Sequence, residues 1–380
     1  MRKYLIAILS LFPLCLFAID IVYGPYLQEV TQTEATIVWV TNQKAISWVE
    51  VAPNDTQNFY AKSRPAFYQT YLGKRVLGKV HKIKVQGLQP GTVYRYRVLS
   101  KEIISQKGHV ISYGTVASTD VYSRPALTFQ TLDPEKETLK IAVVNDIHGD
   151  NSLLTSLLQH TKKENMDFVF FNGDMVSHME NEEQLFTGFI NTAVQLFASE
   201  IPFFFVRGNH ESRGDFADQY LNYFPTSTRK PYYAFRDGPA YFIVLDGGED
   251  KPDDDIEYYG LSDFDQYRIE QAEWLKQIMQ GPDFKDALFR VVLIHVPPIQ
   301  STWHGPLHVN KLFAPILNDG KIDLMICGHT HEFYYAPKGE EGCKFPILIN
   351  SNKEVTKLTF NKDFLNIHVG DKEWKLPVNN

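Results

Sequence analysis

The sequence predicts two domains in tandem, an all-β sandwich followed by an α/β sandwich, and three observations carry that reading. The chain has 380 residues, more than one core usually organises, so about two domains are expected. Its front part holds short β-rich segments broken by Asn, Gly and Pro, the pattern of antiparallel strands with frequent turns. Further on the apolar runs change character: those at 141–144, 168–171, 203–206, 291–294 and 324–327 are too continuously apolar for strands with one wet face. They read as the interior of a sheet covered on both sides, and the helical spacing between them gives an α/β layer structure.

Taken in order, Arg2 and Lys3 precede an apolar run from Leu5 to Phe17 that ends at Ala18, the form of a secretory signal over residues 1–18. Leu14 stands before Cys15 where a lipid-modified chain would carry a small residue. Plain export to the periplasm, the medium or the cell surface is therefore expected, with a retained signal anchor as the alternative. Residues 19–130 form the front domain, with strands around Trp39 and Trp48, then a Leu88-Gln89-Pro90-Gly91 turn before the alternating positions 93–98. Tyr94 is placed to pin a sandwich corner through its hydroxyl. Trp39, Trp48, Tyr94 and Tyr96 read as core and corner packing rather than a ligand platform. Residues 131–138 are polar and proline-broken, a linker, and 139–380 form the second domain. In it, helical spacing marks 151–158 after an Asp150-Asn151 cap signal, 181–198 and 265–280, and closing strands are expected near 345–349, 358–360 and 365–369. There is no internal repeat, low-complexity tract or later membrane span.

The chemistry lies in five short islands, nearly all directly after an apolar run: Asp146-Ile147-His148, Gly173-Asp174, Gly208-Asn209-His210-Glu211, His295, and Gly328-His329-Thr330-His331. In sheets of this kind the strand ends converge on one edge, so ligands distant in sequence meet in space. Carboxylate, amide oxygen and imidazole are mixed hard and borderline donors that suit Mn, Fe or Zn. Any single His or Asp here, taken alone, reads better as a hydrogen-bonded polar residue at a strand end; the five islands together read as a two-metal hydrolytic site. In extended backbone, residues two apart point the same way, which would pair Asp146 with His148 and His329 with His331 and separate Asn209 from His210. Glycines 173, 208 and 328 allow sharp turns and close backbone approach.

These islands, in this order, resemble the calcineurin-like metallophosphoesterase superfamily, whose pattern is D-x-H, G-D, G-N-H-[DE], H and G-H-x-H. The resemblance implies a fold of two central β-sheets flanked by helices. It also implies one metal ion on Asp146, His148, Asp174 and His331 and a second on Asp174, Asn209, His295 and His329, with Asp174 bridging. Two such cations, divalent or trivalent, clamp a phosphate ester and lower the pKa of a shared water, so that hydroxide attacks phosphorus. His210, oriented by an acidic neighbour such as Glu211 or by a backbone group, would stabilise the phosphoryl oxygens or protonate the leaving alkoxide. His304, in the 303–308 loop after His295, is a further catalytic candidate at the pocket rim, beside the solvent-facing reading of the same residue. The front domain, with Gly24-Pro25-Tyr26-Leu27-Gln28, resembles the fibronectin type III-like domain ahead of the catalytic domain in purple acid phosphatases. Those enzymes carry an iron-bound tyrosine three residues after the Asp of the G-D island, and a glycine where this chain has His148. Here Asp174 is followed by Met175, Val176 and Ser177, so no purple colour is expected and the metal's identity stays open.

Net charge is −7 with no long basic run, which argues against a nucleic-acid surface. The acidic run 249–255 lacks the spacing of a calcium loop and reads as a solvated loop. Arg207 reads as a carboxylate partner, while Arg213 could meet a substrate phosphate or a carboxylate. Cys327 and Cys343 could pair after export or stay apart as free thiols, and the Asn54-Asp55-Thr56 sequon is given no function. The expectation is an exported dinuclear metal-dependent phosphoesterase acting on a small phosphorylated substrate, most simply a phosphomonoester. The alternatives are a phosphodiesterase for nucleotides or phospholipid head groups, and a non-catalytic surface-binding protein with a structural metal site. Oligomeric state is not readable.

Overall fold

The computed structural model describes residues 18–378; the segment read as an export signal lies almost wholly outside them. Among the described residues no helix is long and apolar enough to cross a membrane.

One strand organises the front domain. Glu34–Pro53 runs for 20 residues; its first half lies between the strands Ile21–Gln28 and Leu77–Gln86, and its second half between Val93–Lys107 and Ala66–Tyr68. The register shifts between Val40 and Ala45, an irregularity that bends a strand, and the two halves pair with different neighbours. Inside, the buried Trp39 donates its indole N–H to Ser100 Oγ at 2.9 Å. The Tyr94 hydroxyl accepts the Gln89 N–H at 2.9 Å and pins the turn before its own strand.

The second domain is two six-stranded sheets packed face to face. In the first, Leu139–Val144, Phe168–Asn172 and Phe203–Val206 pair in parallel, and Thr356–Phe360, Phe364–Val369 and Lys372–Pro377 extend it antiparallel. In the second, Ala240–Val244, Phe289–Leu293, Leu324–Cys327 and Ile347–Ile349 are parallel, with Tyr233–Asp237 and Tyr334–Ala336 antiparallel at its edges. Ile141, Val143, Phe168 and Phe170 meet Phe242, Val244, Val291 and Leu293 between the sheets. On the outer face of the first sheet, Val144, Val169 and Phe171 are covered by the Asn151–Leu158 helix and the helical stretch 182–198. On the outer face of the second, Ile243, Val292 and Met325 are covered by the helices Phe264–Ile278 and His304–Asn318. Both faces of each central strand are dry, which is why those runs are apolar without alternation. Asp150 starts the first helix by accepting the N–H groups of Ser152 and Leu153.

The front domain docks on the edge of the first sheet. Gln28 Nε2 donates to the Phe203 carbonyl at 3.0 Å, Tyr26 to that of Tyr223 at 3.0 Å, and Tyr96 to that of Ser199 at 2.6 Å. An edge strand that would otherwise expose its backbone is thus covered. Cys327 and Cys343 are both buried and free.

One element differs from the sequence expectation. Residues 303–308, expected as a loop because of Gly305 and Pro306, open the 15-residue helix His304–Asn318. Pro306 falls in the first turn, where its missing N–H has no intrahelical partner to lose.

Candidate metal centre

The parallel strands end at a common edge, and each is followed by one of the islands. What brings their side chains together is not extended backbone. Asp146, His148, Asp174, His329 and His331 all have positive φ, between 49° and 75°, so the expected alternation of an extended strand is replaced by left-handed turns. Such a conformation costs a non-glycine residue about 1 kcal/mol or more and persists where the surroundings enforce it. Here backbone hydrogen bonds from Asp146 N to Gly173 O and from His148 N to Asp174 O, each 3.0 Å, lock the first two islands together. Gly173 and Gly208 allow the approach: a Cβ on Gly173 would collide with the His295 ring, and one on Gly208 with Asp174.

Asp146, His148 and His331 come together as one potential ligand group, and Asp174, His295 and His329 as another; His148, Asp174 and His210 form a third that joins them. His331 Nε2 lies 3.3 Å from Asp146 Oδ1 and 3.3 Å from His148 Nε2. His295 Nε2 lies 2.9 Å from Asp174 Oδ2 and 3.8 Å from Asp146 Oδ1. The Asn209 Oδ1 oxygen is 3.1 Å from His329 Nδ1, so the amide also faces the group. All seven residues expected as ligands therefore line one hollow.

The donor set fits a pair of cations on three counts. Asp146 Oδ1 and His295 Nε2 are buried without a hydrogen-bond partner among the described residues; His295 Nε2 is close to Asp174 but out of line for a hydrogen bond. Buried polar atoms of this kind need an explanation. The His295 ring donates Nδ1–H to the Asn172 carbonyl at 2.7 Å, which fixes the tautomer with Nε2 as a free donor to metal. Finally, burial would lower the His295 pKa, but the carboxylates of Asp174 and Asp146 override it and push it up to about 10. Burial acts to raise those two carboxyls, yet the His295 charge outweighs it and holds both below the usual carboxylate range. The two carboxylates thus draw positive charge to the His295 Nε2 position, which a cation would serve as well as a proton. His148 and His329 are lowered, chiefly by burial, toward the neutral imidazole that ligates metal.

His210 is oriented by backbone. Its Nδ1 donates to the Ser177 carbonyl at 2.7 Å, which turns Nε2 toward the hollow, 3.9 Å from Asp174 Oδ2. Ser177 holds the place of the tyrosine in purple acid phosphatases; its hydroxyl lies 3.5 Å from His148 Nδ1.

Two catalytic expectations are corrected. Glu211 neither faces the hollow nor touches His210. It is fully buried, and its two oxygens accept the N–H groups of Asp174, Met175, Val176 and Gly208, so it holds the G-D loop in shape. Burial and then the Asp174 charge push its carboxyl up to about 7 against the pull of those donors. His304 turns away to Asp265, 2.8 Å distant, and shares no ligand group with the seven residues.

Asp250, Glu249 and Ser177 were not expected. Glu249 grips Arg213 with both oxygens, at 2.8 and 2.7 Å, and Asp250 lies 3.6 Å from Arg213 and 3.9 Å from His329. The acidic run is therefore partly a buried brace, and Arg213 is carboxylate-bound while its Nη1 reaches 3.4 Å from His210 Nε2. Arg207 pairs with Asp246 at 2.7 Å. An Asp beside other acids in a proline-containing stretch gave no signal that distinguishes it from a solvated loop.

Residues 139–333 match the family described as Calcineurin-like phosphoesterase, and residues 25–132 match Purple acid Phosphatase, N-terminal domain. Similar proteins include Purple acid phosphatase 22 of Arabidopsis thaliana, 22% identical over 321 residues that cover 75% of this chain and 62% of that protein. Purple acid phosphatase 21 of the same plant is 23% identical across 67% of this chain and 53% of its own length. Acid phosphatase type 7 of Mus musculus is 24% identical across 53% of this chain and 40% of its own. The chain thus spans less than two thirds of the length of these relatives. With a family match over half its length and the ordered islands meeting at one sheet edge, this chain belongs to the calcineurin-like phosphoesterase family of hydrolases, with a strand-rich purple acid phosphatase N-terminal domain in front.

Proposed function

We propose that this protein is an exported phosphoesterase that hydrolyses phosphomonoesters at a dinuclear metal centre, with residues 139–380 carrying the chemistry and 19–130 serving as scaffold. The observation that supports this best is the convergence of Asp146, His148, Asp174, Asn209, His295, His329 and His331 around buried, unpartnered donor atoms. Calcineurin-like phosphoesterases use a dinuclear metal centre; here Asp146, His148, Asp174 and His331 would hold one ion, and Asp174, Asn209, His295 and His329 the other. When bound, the pair supplies charge for the phosphate oxygens and a water of lowered pKa. Mn, Fe and Zn all suit these donors.

The chain's own residues do the rest. Asp174, between both groups, sets their spacing. His210 presents Nε2 to the hollow with its other nitrogen tied to Ser177, placed to donate a hydrogen bond to a phosphoryl oxygen or a proton to the leaving alkoxide. Arg213 is held by Glu249 at 2.7 Å, with its Nη1 3.4 Å from His210 Nε2. The leading segment supports export. The names of the relatives favour a monoester over the diester alternative.

The test is the kcat/KM ratio for a phosphomonoester and a phosphodiester with the same chromogenic leaving group, on Mn²⁺-reconstituted protein. A ratio above about 10, or roughly 1.4 kcal/mol of transition-state preference, is expected. A preference for the diester moves the assignment to a phosphodiesterase, and turnover of neither leaves a structural metal site.

A further inference from the structure

A second constellation lies outside the candidate centre. Asp265 sits in the first turn of the Phe264–Ile278 helix, and His304 and His308 occupy successive turns of the His304–Asn318 helix packed against it. Residues four apart share a helix face, so both imidazoles meet the one carboxylate. His304 Nε2 lies 2.8 and 2.9 Å from the two Asp265 oxygens, and His308 Nδ1 lies 2.9 Å from Oδ1. All three ligand atoms fall within 4.8 Å of one another.

The geometry at His308 is informative. Its Nδ1 is buried and has no hydrogen-bond partner among the described residues, although Asp265 Oδ1 is only 2.9 Å away. The lone pair and the carboxylate are in reach but out of line. His295 Nε2 and Asp174 Oδ2, also 2.9 Å apart, show the same misalignment in the candidate centre. Each pair sets a ring nitrogen beside a carboxylate oxygen with no hydrogen bond between them, an arrangement open to a shared ion. The exposure of His304 and Asp265, about a third of each side chain, opens a path for an ion and room for a water as fourth ligand.

Arg268 is the opposing feature. Buried, it bonds Asp265 Oδ1 through Nη1 at 2.9 Å and the Gly247 carbonyl through Nε at 2.8 Å. It orients the carboxylate, and its charge disfavours hard cations that depend on carboxylates alone. Two imidazoles and one carboxylate oxygen instead form a set for a borderline cation.

We propose that Asp265, His304 and His308 form a mononuclear site for a Zn²⁺-class cation, sharing no ligand with the dinuclear centre. Filled, it staples the ends of two helices beside the active-site rim, since the Gly305 N–H donates to the Asp250 carbonyl at 2.8 Å and Asp250 faces His329.

The experiment is equilibrium dialysis of chelator-stripped, full-length protein against Zn²⁺, comparing the wild type with His308→Ala. The wild type is expected to bind one ion more than the variant, with affinity for that ion falling by more than about 10-fold, the least that loss of a group merely supporting a ligand costs. The same comparison in an Asp174→Asn background keeps the difference of one ion even if the dinuclear assignment fails. His304→Gln, at a more exposed position, repeats the loss should His308→Ala fold poorly. Equal stoichiometry and affinity in wild type and folded variants would overturn the proposal and leave the cluster as a helix-joining hydrogen-bond network.

Discussion

His210 shows how much a single residue's role depends on what holds it. With Nδ1 fixed on the Ser177 carbonyl and its backbone N–H on Asp174 Oδ1 at 3.0 Å, its Nε2 is presented to the hollow. His210→Ala should therefore lower kcat by about 10²- to 10⁴-fold, the range for a lost proton donor, while metal content measured on the purified variant stays at the wild-type level. Loss of metal in that variant would place His210 among the ligands instead. Glu211, its neighbour in sequence, does the opposite work. Its carboxylate satisfies N–H groups of the Asp174 loop, and Glu211→Gln would set an NH₂ against two of these donors. Each buried donor left unpaired costs about 1–3 kcal/mol, so a loss of roughly 3 kcal/mol in denaturant stability is expected, together with weaker metal retention. Unchanged stability would remove Glu211 from its place as the brace of the loop. Sequence reasoning grouped His210 with Glu211 because they are adjacent. It could not see that one turn of 3₁₀ helix, His210–Ser212, sends their side chains in different directions.

At the scale of elements, the apolar strands and the polar islands after them were readable because each is a local signal: continuous burial on both faces, then a sharp change to ligating residues. The left-handed conformation of Asp146, His148, Asp174, His329 and His331 was not readable, since such residues are held there by tertiary contacts against their own preference. The His304–Asn318 helix was hidden by Gly305, Pro306 and Pro315, all of which count against a helix in a local reading. Asp265, which captures His304, is 39 residues away in sequence, and no spacing rule joins them. In the front domain, His81 belongs to the same class of long-range effect. Packed against Trp39 and 2.9 Å from Thr41 Oγ1, it is buried, and burial lowers its pKa to about 3. The native state keeps it neutral, while the unfolded chain takes up a proton below about pH 6.5. Its contribution is thus fully present above that pH and is lost as pH falls toward 3. At pH 5 the loss amounts to about 2 kcal/mol. His81→Gln should flatten the fall of the melting temperature between pH 7 and pH 5; an identical pH slope in both proteins would show that His81 protonates in the folded state.

For the whole molecule, the front and second domains meet along an edge strand, through Gln28, Tyr26 and Tyr96, and their interiors are continuous, since Trp39, Tyr96 and Phe129 fall in one buried cluster with Phe168, Phe170 and Phe204. The central claim is that hydrolysis depends on cations held where those islands converge. Chelator-stripped protein titrated with Mn²⁺, with hydrolysis of a chromogenic aryl phosphate followed at each step, tests this most directly, with Asp174→Asn measured alongside. The stripped protein should be nearly inactive and should gain at least about 10³-fold on metal addition, and Asp174→Asn should gain little. Equal rates in stripped and metal-filled protein, or a fully active Asp174→Asn variant, would contradict it.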